Sequence, residues 1–196
     1  RQISGRLLGE PLVRAEINLH GSFLATGDGH GTKKALVAGL LGMQTDDIRI
    51  PQALEIAEER GIVVSFGQAI LREAHPNTAQ LILHGRSGQR LEIIGQSLGG
   101  SRINIAQLDG IETNFSGESP TLVVYNEDRP GHVSEVTTML SNQNINIASM
   151  RLYRSSRGGE AVMVVECDQE VPESGIDWLR GFDGIRKVTY LGMTGE

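Results

Sequence analysis

The chain has 196 residues, of which 39% are apolar and 21% charged, an ordinary globular mixture with length enough for two domains. No apolar run approaches the ~20 residues of a membrane-spanning helix, so no membrane association is expected. The net charge is −6, with no basic stripe interleaved with aromatics, which argues against nucleic acid as the main partner.

Cys167 is the single cysteine. It excludes an internal disulfide framework and fits a reducing cytoplasm. One thiolate also falls short of the several that an iron–sulfur cluster needs within one chain. Lys33, Lys34 and Lys187 are the only lysines, so a pyridoxal Schiff base has few candidate positions.

Val13 to His20 alternate apolar and polar, which predicts a half-buried strand. A glycine-rich segment, Gly21 to Thr32, follows, and Thr32 is placed to cap a helix through Leu41. Pro51 suits the first turn of a second helix, with Ala53, Leu54, Ile56 and Ala57 on one face and Gly61 as its stop. Ile62 to Phe66 reads as a strand. Ala79 to His84 and Arg90 to Ile94 form a hairpin across Gly85-Arg86-Ser87-Gly88, and Arg102 to Leu108 follows the Gly99-Gly100 break. The first domain is therefore expected to be α+β with an antiparallel sheet. Gly117-Glu118-Ser119-Pro120 is the expected linker, giving domains of residues 1–118 and 119–196.

In the second domain, Leu122 to Tyr125 is a strand. Pro130 then begins a helix with Val133, Val136 and Leu140 at helical spacing, and Asn144 takes a left-handed cap. Ile147 to Tyr153 and Ala161 to Cys167 are strands joined by the polar loop Arg154 to Gly159. Pro172 opens a helix with Ile176, Leu179 and Phe182 inward, and Arg186 to Leu191 is the last strand. This order, β-α-β-β-α-β, is the ferredoxin-like split unit.

Two segments carry candidate chemistry. Asn126-Glu127-Asp128-Arg129-Pro130-Gly131-His132 joins strand to helix, where unpaired N–H groups favour a carboxylate and Gly131 permits close approach. By itself it fits an ordinary helix start equally well; inside the complete β-α-β-β-α-β frame it resembles the ACT domain signature. His132 reads equally as a ligand contact or as a solvated residue. Thr26-Gly27-Asp28-Gly29-His30-Gly31-Thr32 matches neither the dinucleotide fingerprint nor a P-loop. His20, Asp28 and His30 lack metal-ligand spacing. His84 reads as a strand-end residue, and Cys167 as a small buried hydrophobe.

The string His20-Gly21-Ser22-Phe23, Thr26-Gly27, Gly29-His30-Gly31-Thr32 and Ala35 to Gly42 resembles the serine dehydratase β-chain family. Asp46 to Pro51, Leu54 to Ala57, His75-Pro76-Asn77-Thr78 and Ser97-Leu98-Gly99-Gly100 extend the likeness. The resemblance implies conversion of L-serine to pyruvate and ammonia, with His30 and His75 serving the active site, one of them as a proton-transfer group. It implies a substrate cleft lined by Ser22, Thr26, Gly29, Thr32, Asn77, Gly99 and Gly100. It places a 4Fe-4S cluster on a cysteine-bearing α subunit, as Lewis acid on the serine oxygens, and none on this chain. The ACT likeness implies binding of L-serine or another small amino acid at Asn126, Asp128, Pro130, Gly131 and His132, and a homodimer through that domain. Asp128 would meet the ligand's ammonium or cap the helix.

Two departures stand out. The family has a Ser-Ser-Ser-His-Thr-type segment near the active site, upstream of where Arg1 falls. It often has lysine and aspartate where this chain has Asp28 and Lys33. A non-catalytic amino-acid sensor is the alternative reading, since the first domain also resembles the allosteric substrate-binding domain of some phosphoglycerate dehydrogenases. A pyridoxal-dependent lyase is a third.

Overall fold

The structure, a computed structural model, describes residues 7–26, 31–72, 74–100 and 102–192. The chain divides into two compact units, residues 1–109 and 110–196. The division falls at the Asp109-Gly110 turn, where both residues have positive φ (49° and 79°), ahead of the Gly117–Pro120 linker.

The first unit opens with β1 (Leu12–Gly21), followed by the short helix α1 (Ser22–Thr26) and α2 (Thr32–Leu40). A 3-10 turn (Ile50–Gln52) with Pro51 in its first turn leads into α3 (Ala53–Glu59). The strands β2 (Val63–Gln68), β3 (Asn77–Gly85), β4 (Arg90–Gly99) and β5 (Arg102–Leu108) follow. The order along their sheet is β2-β1-β3-β4-β5. The pairs β1–β3, β3–β4 and β4–β5 are antiparallel as expected, whereas β2 runs parallel to β1. A parallel neighbour requires a crossover of a dozen residues or more, which the helices between β1 and β2 supply. The alternation of β1 is realised: Ala15, Ile17 and Leu19 are buried, and Arg14, Glu16 and Asn18 take the other face. Leu81, Leu83, Leu91 and Ile93 continue the apolar face, and Val37, Ala38, Leu40, Ala53 and Ala57 are the buried positions of α2 and α3.

The second unit has β6 (Ile111–Phe115), β7 (Thr121–Glu127), α4 (His132–Asn142), β8 (Ile147–Arg154), β9 (Glu160–Cys167), α5 (Glu173–Arg180) and β10 (Ile185–Leu191). Its sheet runs β10-β7-β9-β8, antiparallel throughout, which is the ferredoxin-like arrangement expected. Leu122, Val124, Met163 and Val165 form one core with Val136, Met139 and Leu140 of α4 and Ile176 and Leu179 of α5. Val133 is exposed and Met139 takes the inward place instead. On α5, Arg180 pairs with Glu173 (2.8 Å) and Asp177 (2.7 Å). Such exposed pairs contribute about 0–1 kcal/mol, against about 1.5–3 kcal/mol for each fully buried Ile or Leu. Burial therefore decides how this helix sits. Asn144 has φ 56°, the left-handed cap expected after α4.

Backbone demands explain two of the turns. Gly21 has φ +59°, and a Cβ there would collide with the Pro76 carbonyl oxygen; Gly100 has φ +58° with open space around it. Gly100→Ala should therefore cost only the left-handed penalty of about 1–2 kcal/mol. Gly21→Ala should cost a further ~1–3 kcal/mol for the clash. Urea midpoints of the two variants compare these directly; equal losses would remove the close approach as a constraint.

Candidate functional site

Parallel pairing aims the carboxyl ends of β1 and β2 the same way, and β3 starts beside them: His20 lies opposite Thr78, and Gly21 opposite Asn77. Because β4 is antiparallel to β3 with Gln96 opposite Thr78, Ser97 to Gly100 lie at that same end. In open sheets with helical crossovers, ligands sit outside the carboxyl ends of the parallel strands.

The end is held by directed bonds. The Ser22 N–H donates to the Pro76 carbonyl at 2.8 Å, and the Ala69 N–H to the Leu19 carbonyl at 3.0 Å. The Asn77 N–H donates to His75 Nδ1 at 3.1 Å. Fully buried Thr78 donates its hydroxyl to the His75 carbonyl at 2.5 Å. An imidazole that accepts at Nδ1 carries its proton at Nε2 when neutral, so His75 presents a donor there. His20 Nδ1 lies 3.1 Å from the Ala69 carbonyl oxygen and 3.3 Å from the Leu71 nitrogen.

Of the expected site residues, Ser22, His75, Asn77, Gly99 and Gly100 share this end of the sheet. Thr26 closes α1; Thr32 is the first residue of α2 and not its cap, since left-handed Gly31 (φ +69°) takes the N-cap position without any side-chain cap bond. Gly29 and His30 lie outside the described residues, as does Asp28. A polar ladder on the face opposite the core is absent from the sequence expectations. Asn18 donates to Gln80 (3.1 Å), and Gln80 to Glu92 (2.7 Å), which also accepts from Arg90 (2.8 Å). The Arg90 guanidinium holds the Glu92 carboxyl below its ordinary range.

No group of three or more His, Cys, Asp or Glu among the described residues is arranged to hold a metal ion. Cys167 is buried in the second unit's core, and burial pushes its thiol up to about 11. It does not fit the role of a thiolate ligand to an iron–sulfur cluster.

In the second unit, the turn between β7 and α4 is built by backbone and carboxylate bonds. The Glu127 N–H reaches the Gly184 carbonyl (2.9 Å), and the Asp128 N–H the Gly159 carbonyl (2.8 Å). Asp128 Oδ2 accepts from the Gly158 N–H (2.9 Å) and from Arg154 (3.0 Å). These bonds hold the Asp128 carboxyl below its ordinary value, the Gly158 N–H most of all. The carboxylate thus serves the β8–β9 hairpin, and Gly131 stands at the N-cap of α4 with no side-chain cap bond.

His132 is neither solvated nor free. It is 2% exposed, receives the Arg129 Nε–H at Nε2 (3.2 Å), and sits 2.7 Å from Glu135 Oε2 through Nδ1. Arg129 also bonds Asp183 at both its carbonyl and its carboxylate. Gly184 permits this packing, since a Cβ there would lie 2.5 Å from Arg129 and 2.7 Å from His132. Only the Asp183-Gly184 turn dipeptide could have signalled it in the sequence. Asn126, at the end of β7, is buried; its Nδ2 donates to the Glu127 carbonyl (2.7 Å), while its Oδ1 has no hydrogen-bond partner. A buried acceptor without a donor is costly, which marks this spot as one a donor would fill.

Comparison with known proteins identifies a serine dehydratase beta chain region over residues 3–61 and an ACT domain over residues 121–180. The chain is similar to the "Probable L-serine dehydratase, beta chain" of Bacillus subtilis, with 35% identity covering 97% of this chain and 86% of that protein. It is also similar to the "L-serine dehydratase, beta chain" of Peptoniphilus asaccharolyticus, with 33% identity covering 91% and 81%. A D-3-phosphoglycerate dehydrogenase of Methanocaldococcus jannaschii is 29% identical over 82% of this chain, but only 30% of that enzyme is matched.

The lowered carboxyl of Asp128 has a testable sign. A depressed folded-state value stabilises the fold above the unfolded value of about 4. That contribution fades as pH falls through the folded value. The urea midpoint of Asp128→Asn should thus lie below the parent's at pH 7, and the gap should close toward pH 2. A constant gap across that range would mean the carboxylate's charge contributes nothing.

Proposed function

The chain belongs to the L-serine dehydratase β-chain family, and we propose that it is the β subunit of an iron–sulfur enzyme that converts L-serine to pyruvate and ammonia in the cytoplasm. The observation that carries this reading is the meeting of Gly21 and Ser22, where the chain leaves β1, with the Pro76-Asn77 segment that follows His75 at one end of the first sheet. Net chemistry requires removal of the serine α-proton and departure of its hydroxyl. An iron–sulfur cluster, when bound, supplies a Lewis acid for serine oxygens; we assign it to a cysteine-bearing α subunit, because Cys167 is unsuited to it.

This chain's part is to bind and orient. His75, with Nδ1 occupied by the Asn77 N–H, presents its Nε2–H as a hydrogen-bond donor to the serine hydroxyl oxygen. The exposed Ser22 and the glycine turn at Gly99-Gly100 line the approach, and we keep Thr26, Gly29, His30, Thr32 and Asn77 in the same cleft. No helix among the described residues is long and apolar enough to cross a membrane.

The second unit reads as the amino-acid-responsive part. The N-terminal amides of α4 suit a carboxylate, and Asn126 Oδ1 suits an ammonium. L-serine meets both demands. Pro130 and Gly131 shape the approach, while Asp128 and His132 act by holding the turn. We place a homodimer contact on this unit, where β8 is an edge strand with Leu152 exposed. Likeness to phosphoglycerate dehydrogenases supports a second reading, a sensor without catalysis, which would bind serine yet leave an α chain inactive.

Two measurements test these assignments. With a co-expressed α chain, serine turnover should appear, and His75→Ala should lower it by ~10²–10⁴-fold while circular dichroism stays unchanged. Parental turnover in the variant would take His75 out of the reaction. Calorimetry on the full chain should show serine binding that is lost in Asn126→Leu and weakened in Gly184→Ala. Unchanged binding in both would move the ligand elsewhere.

A further inference from the structure

His75 sits in the connection from β2 to β3, and that connection is fastened to β1 and α1 at both of its ends. At the β3 end the fastening is the Ser22–Pro76 bond, and His75 beside it is held locally by two bonds from Asn77 and Thr78 of β3. At the β2 end there is the Ala69–Leu19 backbone bond, and the His20 ring. Ile70 is 85% exposed and anchors nothing. Among the described residues, His20 supplies the one side-chain bond to residues 69–71.

That bond has a particular chemistry. Nδ1 is within reach of the Ala69 carbonyl, which needs a donor, and of the Leu71 N–H, which needs an acceptor. One nitrogen serves only one of these at a time. With its proton on Nδ1 the neutral ring binds Ala69; with its proton on Nε2 it binds Leu71. In the second state His20 and His75 use the same device, each accepting a backbone N–H at Nδ1 from either end of one connection. Strand register adds a link, since His20 stands opposite Thr78, which grips the His75 carbonyl.

We propose that His20 is a positioning residue for the serine dehydratase reaction: through Nδ1 it fixes the turn after β2 and thereby the placement of His75. This rests on the assignment of His75 to the active cleft. The ring acts through the connection, with no contact to substrate required.

The side-chain series separates this role from a general structural one. Asparagine can set an amide where Nδ1 stands and keep either bond; glutamine extends its amide toward Nε2; alanine keeps nothing. In the full β chain, backbone amide exchange at Leu71 and Asn77 should quicken by about tenfold or more in His20→Ala, and stay near parental in His20→Asn. In the α/β enzyme, kcat should fall by about tenfold or more in His20→Ala and His20→Gln with KM within about threefold, and recover in His20→Asn. Unchanged exchange at both amides in His20→Ala overturns the proposal. So does a kcat for His20→Asn as low as that of His20→Ala. If His75→Ala keeps parental turnover, the cleft assignment fails, and the exchange measurement still decides whether His20 sets the turn.

Discussion

One close approach organises the functional end of the first unit: the backbone of Gly21 against the Pro76 carbonyl. Any Cβ at position 21 would occupy that oxygen's place. Without it, the Ser22 N–H reaches Pro76, and the turn leaving β1 lies against the turn entering β3. Everything assigned to the cleft depends on those two turns being neighbours. The parallel β1–β2 pair makes this possible, because only a parallel neighbour brings the exit of β2 to the exit of β1. The helical crossover is thus the structural cost of placing three turns at one end of a sheet.

The second unit solves a similar problem with charge. Gly184 again leaves room, but for a guanidinium and an imidazole rather than for a carbonyl. Arg129 is held by Asp183 and holds His132, and Glu135 takes the far side of that ring. The turn is therefore rigid before any ligand arrives, which lowers the ordering cost of binding. Asn126 Oδ1, by contrast, is a buried acceptor with no hydrogen-bond partner.

Much of the architecture was legible in the sequence. β1 shows itself by alternation, and the β-α-β-β-α-β unit by Pro130, Pro172 and the Arg154–Gly159 turn punctuating apolar runs. Strand direction was not legible: Ile62 to Phe66 carries no mark of which neighbour it takes, so β2 reads as one more antiparallel strand. β6 escaped although Ile111, Thr113 and Phe115 alternate inward, because so short a strand barely rises above its flanking polar residues. Residue roles were least legible. Asp128 precedes a helix and looks like a cap, yet its partners are 26 and 30 positions away in sequence. His132 sits on a first helical turn, where exposure is the ordinary outcome, yet Arg129, Glu135 and the space left at Gly184 surround its ring.

The Asp128 carboxylate also acts as a gauge of hairpin length. It clasps the Gly158 N–H and Arg154 at opposite sides of the same tip, while the Asp128 N–H reaches Gly159. Surface hairpin tips are usually where chains tolerate inserted residues, tags or new termini. Here one residue more or fewer between Arg154 and Gly159 would pull those partners out of step. For anyone engineering the chain, this exposed, serine- and glycine-rich tip is a poor place to cut or splice.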